Sequence, residues 1–130
     1  MSVLVDTSVW IRFLSNRAPF SGELDRLLAD DAVAGHESVY GELLVGDRGG
    51  RQELLSHYER MEQVAPVPHG DVVAFVRARK FHGRGIGWID AHLLASALVS
   101  GVQLWTADGP LGAIADELGI AYRFKGASST

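Results

Sequence analysis

Cysteine is absent from this chain of 130 residues, so disulfides, thiolate metal sites and cysteine nucleophiles are excluded together. Long apolar runs are absent too, because no segment approaches the roughly 18 consecutive apolar residues of a membrane-spanning helix. The first residues contain neither a basic start nor a long apolar stretch, so we expect no signal peptide. These absences predict a protein of the reducing cytoplasm that does not associate with a membrane.

A surplus of basic residues is also missing, because the formal net charge is −4. Proteins that coat nucleic acids are usually basic, so the overall charge argues against that class. Acidic residues are in turn missing from residues 72–89, and this segment carries four basic side chains: Arg77, Arg79, Lys80 and Arg84. On charge alone, a solvated helix face is the simpler interpretation. Beside an acidic metal pocket, the same stretch would suit a substrate that carries phosphates.

Short apolar runs alternate with segments of helical periodicity along the whole chain. The pattern predicts strands at residues 3–5, 32–35, 103–106 and 120–124, with a brief extended segment at 64–67. It predicts helices at residues 8–14, 19–31, 37–45, 52–62, 69–82, 90–99 and 111–118. We therefore expect one α/β domain over residues 1–130, with a mostly parallel central sheet flanked by helices in three layers and a polar tail at 125–130.

Four acidic residues stand at positions where such a sheet would gather them. Asp6 ends the first apolar run and Asp108 closes the run that begins at Gln103. Asp90 lies in the first turn of one predicted helix, and Glu42 lies late in another. Ligands of open parallel sheets bind at the carboxyl ends of the strands, so we expect these four side chains to converge at that edge.

A pocket of carboxylates without cysteine is the chemistry that a hard divalent cation prefers. Mg²⁺ and Mn²⁺ favour oxygen donors in octahedral geometry, and the five histidines show no paired spacing typical of a zinc site. Each acid also has a purely structural interpretation. Asp6 can cap a helix, Asp108 can serve a turn, Asp90 can offset the helix dipole, and Glu42 can be a surface residue.

Four sequence motifs carry a family resemblance when they are taken together. They are Val-Asp-Thr-Ser-Val-Trp-Ile at residues 5–11, Ser-Val-Tyr-Gly-Glu-Leu-Leu-Val-Gly at 38–46, Trp-Ile-Asp-Ala-His-Leu-Leu-Ala-Ser-Ala at 88–97, and Leu-Trp-Thr-Ala-Asp at 104–108. In this order and spacing they resemble the motifs of PIN-domain ribonucleases. The length and the motif order resemble the VapC toxins of bacterial type II toxin–antitoxin pairs, over residues 3 to about 124.

The resemblance implies a parallel central sheet, a Mg²⁺- or Mn²⁺-dependent endoribonuclease, a homodimer and an antitoxin partner. By motif position, it assigns the catalytic and metal-binding acids to Asp6, Glu42, Asp90 and Asp108. A hydroxyl close to the metal falls on Thr7 or Ser8, and another falls on Thr106. Many relatives have a further acidic residue after the last motif aspartate, where this chain has Gly109, Pro110 and Leu111. The presence of a second metal is therefore left open.

The chemistry that these residues suggest is hydrolysis of a phosphodiester bond. A cation held by Asp6, Asp90 and Asp108 would acidify water and polarise the phosphoryl group, and Glu42 would help to hold a second cation or orient water. Arg77, Arg79, Lys80 and Arg84 would then hold flanking phosphates without reading the base sequence. The acidic residues alone do not distinguish RNA from DNA.

Two other classes of function compete with a nuclease. In a phosphoaspartyl phosphatase or receiver domain, Asp6 would be the nucleophile or metal ligand and Lys125 would match the receiver lysine. The phosphatase pattern needs an aspartate at position 8, which is Ser8, and the receiver pattern needs an acid at the end of 64–67. In a non-catalytic interaction module, the acids would be structural and the stripe of Trp10, Phe13 and Leu14 would bind a partner helix.

Overall fold

Three short parallel strands form the centre of the molecule in the computed structural model, which describes residues 2–124. They are β1 (Val3–Val5), β2 (Val33–Ala34) and β3 (Gln103–Trp105), in the spatial order β2-β1-β3. Val3 pairs with Val33 on one side of β1, and Val5 pairs with Trp105 on the other. Nearly every residue of the three strands is buried, which is typical of a parallel sheet covered on both faces. The prediction of a parallel central sheet is confirmed.

The sheet is extended at each edge by a single parallel bridge. Gly35 pairs with Gln63 beside β2, next to the extended segment expected at 64–67. Leu104 pairs with Ala121 beside β3, and this bridge is all that forms of the strand predicted at 120–124. The segment after it is held instead by aromatic packing of Tyr122 and Phe124 on Trp105. Lys125 and the predicted tail at 125–130 lie outside the described residues.

Within residues 2–124, seven helices connect and flank the strands. They are α1 (Thr7–Leu14), α2 (Phe20–Ala29), α3 (Glu37–Val45), α4 (Gln52–Arg60), α5 (His69–Arg79), α6 (Trp88–Ser100) and α7 (Gly109–Glu117). The prediction was too long for α5, because Lys80 adopts a left-handed backbone (φ 58°) and ends the helix. It was too short for α6, which begins two residues before Asp90.

One continuous apolar core joins the sheet to the helices. Leu4, Trp10, Leu93 and Leu94 are fully buried in it. Trp10 therefore belongs to the core, whereas Leu14 at the end of the same helix is 40 % exposed. The stripe considered for partner binding is thus largely internal. None of the helices within residues 2–124 is long and apolar enough to cross a membrane.

Candidate active site at the carboxyl edge of the sheet

Asp6 and Thr106 leave the sheet side by side, because each directly follows a strand. Val5 pairs in parallel register with Trp105, and the next residue of each strand is the one with a polar side chain. The Asp6 backbone N–H donates to the Trp105 carbonyl at 2.9 Å, which carries the pairing one residue beyond β1. The parallel register therefore brings residues 100 positions apart into contact.

The Asp6 carboxylate is almost buried and is held by two hydroxyl groups. Only 5 % of the residue is exposed, and its Oδ2 accepts hydrogen bonds from Ser8 Oγ and Thr106 Oγ1, each at 2.7 Å. Asp6 occupies the cap position of α1 but makes no side-chain cap hydrogen bond. The alternative in which the Asp6 side chain caps α1 is therefore wrong, and the carboxylate instead accepts from the hydroxyls of Ser8 in α1 and Thr106 after β3.

Glu42 reaches the same edge from α3. Its Oε1 accepts a hydrogen bond of 2.5 Å from Thr7 Oγ1, at the start of α1. The flanking Val39 and Leu43 are fully buried, so α3 presents Glu42 beside its core-facing side rather than to open solvent. Thr7 and Ser8 are neighbours in sequence but hold different acids.

Asp90 lies at the first turn of α6, where its Oδ2 accepts from the Gly87 backbone N–H at 2.9 Å. Burial raises the pKa of Asp90 above its ordinary value, and the Gly87 hydrogen bond opposes that shift. The negative charges of Asp6, Asp108 and Glu42 raise the pKa further. Asp90 therefore lies close enough to the other three predicted acids to interact with them electrostatically.

Asp108 differs from the other three because it is exposed and caps a helix. Its Oδ2 accepts from the Leu111 backbone N–H at 3.0 Å at the start of α7, as its turn interpretation anticipated. It does not end β3, because Trp105 does. The Asp108 backbone N–H donates to Thr106 Oγ1 at 3.0 Å, which ties the capping residue back to the strand end.

The four carboxylates share one pattern. Among the described residues, each accepts its protein hydrogen bonds through a single oxygen. These oxygens are Oδ2 of Asp6, Asp90 and Asp108 and Oε1 of Glu42. The other oxygen of each group receives no hydrogen bond from residues 2–124. The protein therefore orients every carboxylate and leaves one oxygen of each for another ligand.

The donor set fits a hard cation, although the acids are not drawn together into a closed cluster. No group of three Asp, Glu, His or Cys side chains within residues 2–124 is compact enough to hold a metal ion as it stands. Two of the aspartates are turned toward backbone N–H groups, and like charges repel without a cation between them. Mg²⁺ usually keeps several waters and binds only one or two carboxylates directly. An open arrangement of oxygen donors is compatible with that habit.

The basic residues predicted to bind substrate do not form one group. Arg84 makes a two-fold ion pair with Glu117 of α7, with one contact of 3.0 Å between Arg84 Nη1 and Glu117 Oε1. Arg77, Arg79 and Lys80 are exposed at the carboxyl end of α5, where they make no ion pair with a described residue. The structure therefore separates Arg84 from the other three.

The sequence analysis did not single out His36, which links α3, the helix of Glu42, to α6, the helix of Asp90. The residue is fully buried, and its Nδ1 accepts from the Ser38 backbone N–H at 3.0 Å as the cap of α3. Because Nδ1 is the acceptor, the neutral ring carries its proton on Nε2, which lies 2.9 Å from Ser96 Oγ on α6. Burial lowers the pKa of His36, and so does His92, while the charge of Glu37 opposes them. Histidine is not a usual capping residue, so the sequence offered no signal for this link.

Comparison with known proteins agrees with this geometry. The family model of the PIN domain matches residues 3–117. Ribonuclease VapC32 of Mycobacterium tuberculosis, in strains CDC 1551 / Oshkosh and ATCC 25618 / H37Rv, is 42% identical over 120 residues. That alignment covers 92% of this chain and 94% of the relative.

Two crystal structures share the fold. FitAcB from Neisseria gonorrhoeae matches with a TM-score of 0.58 and 23% identity, covering 88% of this chain and 93% of that one. PAE2754 from Pyrobaculum aerophilum matches with a TM-score of 0.54 and 17% identity, covering 92% and 96%. The match to the family model extends across the motifs that carry the four acids. The chain therefore belongs to the PIN-domain family, and within it to the VapC-type ribonucleases.

Proposed function

We propose that this protein is a Mg²⁺- or Mn²⁺-dependent endoribonuclease that hydrolyses RNA phosphodiester bonds as the toxin of a toxin–antitoxin pair. One observation supports the proposal: in a VapC-type PIN chain, Asp90 lies within electrostatic range of Asp6, Asp108 and Glu42, and each of the four carboxylates has one oxygen without a hydrogen bond from residues 2–124. The curated relative in M. tuberculosis bears the name ribonuclease, which supports the same chemistry.

Asp6, Asp90 and Asp108 would hold the cation, with Glu42 at its margin. A divalent cation bound there supplies charge neutralisation at the phosphoryl oxygens and makes water more acidic. The protein's own contribution is to orient the donors before the substrate arrives. Ser8 and Thr106 fix the Asp6 carboxylate, and Thr7 fixes that of Glu42. Such outer hydrogen bonds keep ligands in place and typically affect activity strongly.

Glu42 would position the attacking water in this scheme. It is half-buried, its Oε1 is occupied by Thr7, and Oε2 takes no hydrogen bond from the described residues. Burial and acidic neighbours raise the pKa of Asp90, so positive charge that enters the pocket would stabilise its ionised form. Arg77, Arg79 and Lys80 would attract the RNA backbone on either side of the bond that is cut.

The partners follow from the same proposal. We infer that a cognate antitoxin binds the protein, that the protein forms a homodimer, and that it acts in the cytoplasm. Large apolar side chains at the surface support protein contacts: Ile11 and Leu14 on α1 are each 40 % exposed, and Leu44 and Val45 on α3 are 49 % and 87 % exposed. Contiguous apolar groups of this kind are common where proteins bind each other.

The decisive experiment is a cleavage assay with purified protein freed of its partner. We expect end-labelled single-stranded RNA to be cut in Mg²⁺ or Mn²⁺ and to stay intact in EDTA. Zn²⁺ should support cleavage poorly, because zinc sites usually recruit His or Cys ligands. Single-stranded DNA of the same sequence serves as the control for sugar preference. Full RNA cleavage in metal-free buffer would overturn the metal assignment, and cutting of DNA alone would overturn the substrate.

A further inference from the structure

Trp88 is unusual because it is the exposed member of the three tryptophans. Trp88 is 43 % exposed, whereas Trp10 and Trp105 are 0 % and 3 % exposed. It is the first residue of α6, directly after Gly87 and two residues before Asp90. An aromatic ring that the core does not use therefore stands beside a predicted catalytic acid.

Two imidazoles hold the Trp88 ring from different helices. The His92 ring, one helical turn further along α6, lies 4.8 Å from the indole at an interplanar angle of 89°. The His69 ring, at the start of α5, lies 5.1 Å away at 61°. Edge-to-face contacts of this kind are favourable and fix ring orientation. The indole is therefore held in one orientation before any ligand binds, and part of its surface stays open.

The Trp88 ring forms one wall of a cleft of about 560 Å³. The opposite wall comes from the start of α3, at His36 and Glu37, and the connection at Pro66 and Pro68 closes the end. Among the described residues, Glu37 is the only Asp or Glu that lines the cleft, and no Lys or Arg lines it. A cleft lined by an indole and three imidazoles, without Lys or Arg among the described residues, suits a flat, uncharged ring better than a phosphate.

This cleft leads to the candidate active site. Ser38 and Ile89 line both it and a neighbouring cleft of about 660 Å³ whose wall contains Thr7 and Glu42. Ile89 stands between Trp88 and Asp90 in the first turn of α6. A chain that runs along this shared groove would pass from Trp88 to Glu42, beside the first turn of α6 that carries Asp90.

We propose that Trp88, oriented by His69 and His92, is a stacking platform for one unpaired base of the RNA strand next to the bond that is cut. The inference rests on the proposed function, because the groove needs a strand at the carboxylates. Proteins read single-stranded RNA by stacking splayed bases on aromatic rings, and this contact tolerates any base. The platform therefore holds the strand in register, while the exposed cations of α5 act on its phosphates.

The test is a fluorescence titration in EDTA, so that no RNA is cut. Since the other two tryptophans are buried, quenching by RNA reports on Trp88. The probes are single-stranded octa-adenylate and an octamer of abasic ribose phosphates, which has the same charge and no bases. We expect octa-adenylate to quench and to bind about 5- to 100-fold more tightly than the abasic octamer. Binding of the Trp88 variants is measured with 5′-labelled oligomers by anisotropy.

Trp88→Ala should erase the difference between the two oligomers, and Trp88→Phe should restore most of it, because phenylalanine keeps a stacking face. The matched control is Val99→Ala, since Val99 is a 77 % exposed apolar residue at the other end of the same helix. Circular dichroism of each variant establishes that it is folded. If Trp88→Ala does not fold, two measurements still test the platform. They are the quenching of wild-type fluorescence by octa-adenylate and the binding of Trp88→Phe to the two oligomers.

Several outcomes would overturn the platform. Equal affinity of wild type for both oligomers would do so, and so would an unchanged preference for octa-adenylate in Trp88→Ala. Loss of a co-expressed partner protein from Trp88→Ala, with RNA binding intact, would identify the cleft as a protein surface instead. The result is separable from the proposed function. Base-dependent quenching without any cleavage in Mg²⁺ would uphold the platform and refute the nuclease. Cleavage in Mg²⁺ without base-dependent quenching would uphold the nuclease and refute the platform.

Discussion

The two halves of the candidate site are built by different means. Asp6 follows a strand and is held by two hydroxyls, from Ser8 in the first turn of α1 and from Thr106 directly after β3. Asp90 lies on a helix, is capped by one backbone N–H, and has its pKa raised by burial and by its acidic neighbours. Asp6, the strand-end half, receives two hydrogen bonds from side-chain hydroxyls, whereas Asp90, the helix-borne half, receives one from the backbone and is exposed to the negative charge of three acids.

This difference predicts which of the two acids depends more on a bound cation. Two hydroxyl groups hold the Asp6 carboxylate in place, because hydrogen bonds to a carboxylate are strong. A carboxylate whose pKa is raised lowers the stability of the fold when it is ionised. We therefore expect the strand-end half to be in place before metal binds, and the helix-borne half to be stabilised by the metal.

The largest expected effect comes from removing either charge. Asp6→Asn and Asp90→Asn should each reduce RNA cleavage by more than about 100-fold, beyond what the loss of an outer hydrogen bond usually does. The two variants should differ in thermal stability without metal. Asp90→Asn should raise the melting temperature by ~1–3 °C, because it removes a carboxylate that disfavours the fold when ionised. Asp6→Asn should lower it, because two charge-assisted hydrogen bonds weaken.

Asp25→Asn is the matched control for these variants, since Asp25 is an exposed aspartate on α2. It should change neither cleavage nor melting temperature. The sign for Asp90 follows from linkage: its folded-state pKa is raised, so its contribution is favourable at low pH and is lost as the pH rises through that pKa. Wild-type cleavage by either site variant would remove the acid concerned from the proposed site. A lower melting temperature for Asp90→Asn would contradict the contrast between the halves.

An intermediate effect is expected from the hydroxyl that joins the strand ends. Thr106→Val keeps the shape of the side chain but removes the donor to Asp6 and the acceptor for the Asp108 N–H. Cleavage should fall by about 10- to 100-fold, with metal affinity reduced in parallel. Thr106→Ser keeps the hydroxyl and should retain most of the activity. Equal activity of the valine and serine variants would show that the hydroxyl does not orient Asp6.

A smaller effect concerns the pH dependence of folding and the buried cap. Burial lowers the pKa of His36 below its ordinary 6.5, so the unfolded chain binds a proton more readily than the folded one. Its stabilising contribution is therefore complete above pH 6.5 and is lost as the pH falls toward the folded-state value. Stability should decline by at most about 1.4 kcal/mol per pH unit there. His36→Asn keeps a capping oxygen and should flatten this decline in urea unfolding at pH 5 to 7.

The smallest effect is expected at the basic end of α5. Arg77→Gln with Arg79→Gln should weaken RNA binding a few-fold across sequences and reduce the log–log salt slope by about 0.7 per lost contact. Arg17→Gln with Arg48→Gln is the control, because both residues are exposed and the net charge changes equally. An identical affinity and salt slope in the two double variants would leave the α5 cations without a specific role. Arg84 is left out because Glu117 already neutralises it.

Several features of the site were predictable because sheet topology acts through simple local signals. The strand at Val3–Val5 and the position of Asp6 directly after it follow from a short β-branched run that ends in a polar residue. The confirmed parallel sheet then explains why Thr106 lies beside Asp6. The basic segment was harder to interpret, since side chains on a helix surface are not placed by pairing. The ion pair of Arg84 with Glu117 depends on two connections that no local pattern describes.

The surroundings of His36 and Trp88 were also not predictable from local sequence patterns. His36 caps α3 and contacts α6 because the start of one helix packs beside the middle of the other. Trp88 remains exposed because the core is already filled by Trp10 and Trp105. Neither outcome is visible in the spacing of residues along the chain.

Periodicity and motif order are local properties of the chain, so the amino-acid sequence was enough to predict the fold class and the family and to single out the four candidate acids. The packed fold was needed to learn which oxygen of each acid accepts a hydrogen bond, which hydroxyls hold Asp6, and which tryptophan stays exposed. Those properties depend on distances between distant segments. They arise from packing and hydrogen bonding between elements, which no single segment encodes.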